Sequence, residues 1–120
     1  MSLLEELRTL GVDVDEGLER VMDDKALYET MLGMFPERVA SHPIAPEDFD
    51  AEDVSALTAK VHTLKGVTGN LAMTQLFTGY VQTLDRLRAG QAKEAAKAYE
   101  QIVPAQKAIL ECIERFTITG

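Results

Sequence analysis

The stretch KVHTLKGVTGN, residues 60–70, places Lys65 three positions and Gly66 four positions after His62. On a helix these residues are neighbours on one face. Histidine titrates just below neutrality, so its neutral, nucleophilic imidazole is available at physiological pH. Lys65, one turn on, can approach a phosphoryl group carried on that ring and offset part of its charge. Gly66 leaves bare backbone beside the ring, so that another protein's cleft could close over it. Helix propensity argues against such a composition, because each Gly costs roughly 1 kcal/mol relative to Ala. The stretch nevertheless holds two glycines and two β-branched threonines. The same string also fits an ordinary exposed helix histidine beside two chance glycines.

Other chemistries lack their parts. A metal site needs more ligands, and His42, the second histidine, sits in a loop with no ligand one turn away. A serine hydrolase needs an orienting acid and an oxyanion site, and the chain has no G-x-S-x-G elbow. It has no P-loop and no dinucleotide fingerprint, so binding ATP by those routes and phosphorylating itself are not expected. No cofactor is expected in this chain.

The elements that must position His62 read as helices. The chain has 120 residues, 46% hydrophobic and 27% charged, which fits one domain over 1–120. Aromatic residues are 6% and Trp is absent, a mix that favours helices over strands. The net charge of −8 repels phosphate backbones and anionic lipid, so neither nucleic acid nor a membrane surface is an expected partner. There is no signal-peptide pattern and no apolar run near 18 residues. A single cysteine, Cys112, lies in an apolar helical run and reads as buried filler. These features lead us to expect a cytoplasmic protein.

A short apolar opening, 2–11, precedes DVDEGLERV, where Asp13 and Glu16 have capping-box spacing and Leu18, Val21 and Met22 form an inward face. A helix from about Lys25 carries Leu27, Tyr28, Met31, Leu32 and Phe35, and Pro36 should bend or end it. The segment 41–50 holds two prolines and reads as a loop. Asp50 is the expected cap of the third helix. Its Val54, Leu57, Val61, Leu64, Thr68 and Leu71 recur with 3-4-3-4-3 spacing, a narrow seam suited to bundle packing. A fourth helix over 74–88 turns Leu76, Phe77, Tyr80, Val81, Leu84 and Leu87 inward, and Gly90 is its stop. The last helix, from Ala92 to about Phe116, buries Ala95, Tyr99, Ile102, Val103, Ile109, Leu110, Ile113 and Phe116. Pro104 should interrupt and kink it. The expected fold is all-α: an antiparallel four-helix bundle with an additional short N-terminal helical segment. At about 100° per residue, His62 lies roughly 130° from the buried seam and so faces outward.

AKVHTLKGVTGNLAM, residues 59–73, resembles the signature helix of histidine-containing phosphotransfer (HPt) domains, which reads roughly A-H-x-L-K-G-x-x-x-N-[LI]-G. GVDVDEGLERV and ALYETMLGMF resemble that family's N-terminal helices, and AGQAKEAAKAYEQI its last connection and helix. Coverage is about residues 11–116. The departures are Val61, Ala72 where glycine is common, Pro36 and Pro104.

The resemblance implies a phosphorelay intermediate. His62 would accept a phosphoryl group from a receiver-domain aspartate and pass it to another. Lys65 would stabilise that group, and Gly66 would give the partner access. Response-regulator receivers or a hybrid sensor histidine kinase are the implied partners, with Mg²⁺ in the receiver, and a monomer suffices. Such a chain is a phosphocarrier without kinase activity of its own. Two alternatives stay open: the phosphotransfer module of a chemotaxis-type kinase, which also carries His-x-x-Lys-Gly, and a helical adaptor that is never phosphorylated. If the third and fourth helices are antiparallel, Gln82 lies level with His62 and is a candidate hydrogen-bond partner.

Overall fold

The computed structural model describes residues 1–118. Seven α-helices and one 3₁₀ turn follow in order: α1 Leu3–Thr9, α2 Val14–Arg20, α3 Lys25–Gly33, α4 Phe35–Ser41, the 3₁₀ turn Pro46–Asp50, α5 Ser55–Asn70, α6 Thr74–Arg88 and α7 Ala92–Ile118. No strand occurs among the described residues.

Short polar side chains start the early helices. Ser2 and Glu5 form a reciprocal capping box on α1, and the Asp24 carboxylate accepts the Leu27 N–H on α3. Asp13 caps α2 by accepting the Glu16 N–H at 3.1 Å. The other half of the expected box is not made, because the Glu16 carboxylate pairs with Arg20 one turn on, also at 3.1 Å. Pro36 divides the second helical run: α3 stops at Gly33 and α4 begins at Phe35, with the proline in the first turn, where a missing N–H matters least. The proline-containing loop tightens into the 3₁₀ turn, and Phe49 from it is buried against Tyr99.

The three long helices form the frame. Three-residue connections turn the chain back on itself between α5 and α6 and between α6 and α7, so neighbours run antiparallel and pack side by side. Both connections are Schellman turns. At the second, Gly90 is left-handed (φ +74°), the Gln91 N–H reaches the Arg86 carbonyl and the Gly90 N–H reaches Leu87. At the first, Met73 reaches Thr68 and Ala72 reaches Gly69, but the left-handed residue is Ala72 (φ +57°). That backbone shape favours glycine, and holding alanine in it costs about 1–2 kcal/mol. The Ala72 carbonyl accepts the Asp13 N–H at 2.9 Å, which ties the start of α2 to this turn.

The core follows the spacing read on α5: Leu57, Val61, Leu64, Thr68 and Leu71 are buried. Thr68 is tolerated there because its hydroxyl donates to the Leu64 carbonyl at 2.8 Å. Two other buried polar groups are satisfied as well. The Tyr80 hydroxyl donates to Gln106 Oε1 at 2.6 Å, and the Tyr28 hydroxyl donates to the Leu71 carbonyl at 2.8 Å. Burial pushes the Tyr28 phenol up to about 12. Cys112 is buried, and burial raises its thiol too.

Several expected inward residues are not inward. Val103 and Leu27 are 41% and 45% exposed. Met22 is exposed in a left-handed turn (φ +56°) rather than on a helix face. Asp50 does not cap α5, which starts at Ser55. The Asp53 carboxylate accepts from the Ser55 hydroxyl at 2.6 Å and from the Ser55 N–H at 2.9 Å instead, and the hydroxyl first and then the N–H hold its pKa down. Pro104 does not interrupt α7, which stays helical from Ala92 to Ile118. The residue is exposed, and the Glu100 carbonyl it leaves without an N–H donor lies on an exposed turn where water can serve.

Close helix contact depends on Gly79. A Cβ added there would overlap the buried Ile102 side chain on α7. Gly79→Ala should therefore destabilise the protein by about 1–3 kcal/mol, despite alanine's better helix propensity. A urea titration checks this, with a lower midpoint at unchanged slope as the expected result.

Candidate functional site

The buried seam of α5 fixes which way the helix faces, and His62 falls on the exposed side. Its imidazole has no hydrogen bond or ion pair among the described residues. Lys65, one turn on, is partly buried, and its ammonium forms no ion pair there either. Lys60, two residues before His62, is committed elsewhere, its Nζ donating to the Pro43 carbonyl at 2.9 Å.

The two glycines of the stretch have different surroundings. A Cβ at Gly66 would meet nothing within 4 Å, so no packing demand explains the residue. A Cβ at Gly69 would come within 3.0 Å of the Phe77 ring on α6. Gly69 therefore serves the approach of α6, with Phe77 laid over it and still 37% exposed. Only Gly66 leaves open space beside His62.

Gln82 is not brought to His62. It is exposed and lines the grooves between α6 and α7 together with Ala98, and no hydrogen bond joins it to the imidazole. The cause is rotation about the helix axis. Phe77 marks the side of α6 that meets α5, and Gln82, five residues on, lies about 140° away from it.

The sequence reading missed a groove. Gly66 and Thr63 form one wall of a depression of about 340 Å³ between α5 and the α3–α4 run. Met31, Met34 and Arg38 form the other wall. Its floor includes Phe35 and Leu71, both buried. Met31, Met34 and Arg38 recur at three- and four-residue spacing, which could have marked a surface stripe beside the inward one.

An exposed imidazole, a lysine and open backbone therefore lie within one turn of each other on one helix, with a recess beside Gly66. This arrangement can expose an imidazole to a large reactant and place one positive charge near a group attached to it. Among the described residues, no cluster of three His, Cys, Asp or Glu side chains could hold a metal ion, and no helix is long and apolar enough to cross a membrane. Comparison with protein-family models, curated proteins and solved structures gave no match.

Proposed function

We propose that the protein is a phosphorelay intermediate in which His62 reversibly carries a phosphoryl group between receiver-domain aspartates. The observation that carries this reading is Gly66: a helix-weakening residue with nothing within 4 Å of its missing side chain, one turn from an exposed histidine. Open space there has no packing use and suits the closing of a partner's cleft over the ring. The associated fold is an antiparallel four-helix bundle of α3–α4, α5, α6 and α7, with α1 and α2 as the additional N-terminal piece. A monomeric, cytoplasmic protein is sufficient for this role.

In the forward step, one nitrogen of the neutral imidazole attacks the phosphorus of the receiver's acyl phosphate. A P–N bond forms as the P–O bond to the aspartate breaks, and the aspartate leaves as a carboxylate. The imidazole N–H proton stays on the ring or passes to solvent. In the reverse step a receiver aspartate attacks the phosphoryl group and the imidazole leaves. An Mg²⁺ held by the receiver's acidic residues would offset most of the charge on the transferring group. Lys65 adds one cation to the phosphorylated form.

A transfer profile tests the proposal: receiver domains of the source organism, each phosphorylated, are mixed with the protein and movement of the label is followed. At least one receiver should label it rapidly. Lys65→Ala should slow transfer or shorten the lifetime of the labelled form by roughly tenfold, about 1.4 kcal/mol, because an exposed lysine contributes charge without a covalent bond. Equal rates and lifetimes for variant and wild type would remove Lys65 from the site.

A further inference from the structure

The three ion pairs of the described residues use Arg8, Arg20 and Arg115, and Arg38 belongs to none of them. Its guanidinium also makes no hydrogen bond there, although its backbone carbonyl accepts from His42. Arg86 and Arg88 are outside those ion pairs too, and what sets Arg38 apart is that it lines the groove that Gly66 also lines. The groove itself is mostly apolar. Phe35 and Leu71 lie at its floor, Met31, Met34 and Val67 at its sides, and Met34 is 46% exposed. Leu27 continues the stripe one turn back from Met31 and is exposed as well.

We propose that this groove docks the receiver through an apolar side chain with a neighbouring carboxylate, and that Arg38 is the residue that selects the partner. The inference rests on the phosphorelay reading given above. The occupant follows from the chemistry of the walls. Thioether side chains are flexible and adapt to different apolar shapes, so Met31 and Met34 supply contact area with little discrimination. An unpaired guanidinium discriminates strongly: it forms a bidentate pair with a carboxylate and repels a lysine or arginine in the same place. The net charge of −8 repels polyanions as a class, so a single carboxylate on an apolar face suits the groove better than a phosphate backbone or a lipid surface. Gly66 lines the same groove, so an element seated there lies one helical turn from His62.

Arg38 acts here as a positioning residue and does not touch the transferring group. Its loss should therefore appear in the receiver concentration needed for half-maximal transfer, not in the maximal rate. Arg38→Glu should raise that concentration at least tenfold for the receiver that labels wild type best. Arg38→Lys should recover part of the loss. Wild-type transfer should weaken as salt is raised, and Arg38→Gln should flatten that dependence. Melting temperatures of the three variants, measured alongside, show whether each remains folded. Unchanged half-saturation in a folded Arg38→Glu, or a loss confined to the maximal rate, would overturn the role of Arg38 while leaving phosphotransfer intact. Failure of every receiver to label wild type would overturn the phosphorelay reading, and this inference with it.

Discussion

Replacing His62 with glutamine should abolish phosphoryl acceptance and leave the protein as stable as before. The imidazole is exposed and has no hydrogen-bond partner among the described residues, so its removal orphans no polar group there. Substitutions at such positions usually change stability by less than about 0.5 kcal/mol, which for a chain of this size is a shift of only a few degrees. The functional loss should be complete, because a side-chain amide is not a nucleophile for phosphoryl transfer. Labelling and thermal melting of the same preparation test both halves. Retained label would place the site elsewhere, His42 being the other histidine. A large fall in melting temperature would mean that His62 has a structural role.

At Gly66, activity and stability should move in opposite directions. Glycine in an exposed helical position destabilises, and replacing it with a residue that can adopt the same backbone typically gains about 0.4–1 kcal/mol. Gly66 has no positive-φ requirement and no neighbour within 4 Å of a Cβ. Gly66→Gln should therefore melt at or above the wild-type temperature. Its side chain would also stand beside His62 at the mouth of the groove lined by Met34 and Arg38. A receiver held about 1 Å too far from the ring can lose roughly a hundredfold in rate. We expect a loss of at least that size in receiver-dependent transfer, with a smaller effect on labelling by phosphoramidate, which needs no docking surface. Undiminished receiver transfer would show that Gly66 is not there for access.

Which parts were legible in the sequence follows from how local each signal is. The buried seam of α5 was readable because five of its six expected residues are buried and the sixth, Val54, packs partly buried against the same core, and the exposed face of His62 followed by rotation. The ends of α6 were readable because the chain must reverse within three residues on each side. Met22 and Val103 were misread because apolar type was taken for inward direction. Met22 is instead held in a left-handed turn, and on α7 Ile102, Gln106, Ile109 and Ile113 already fill the inner stripe. Gln106 was missed for the converse reason: a glutamine reads as surface until Tyr80 is seen to donate to it. Gln82 lines the grooves between α6 and α7 because of the rotation of α6 about its own axis, which the spacing within α6 does not determine. The distinction between Gly66 and Gly69 was likewise invisible, because it depends on where Phe77 of another helix lies.

The phosphorelay reading is tested most directly by the position and chemistry of a transferred label. Phosphorylated receiver domains of the source organism are incubated with the wild-type chain, and the labelled product is split between acid and alkali and mapped by mass spectrometry. The predicted result is transfer from at least one receiver onto His62, as a bond that acid breaks and alkali spares, the behaviour of a phosphoramidate. Transfer from none of them, an acid-stable label, or a label on any residue other than His62 would contradict it.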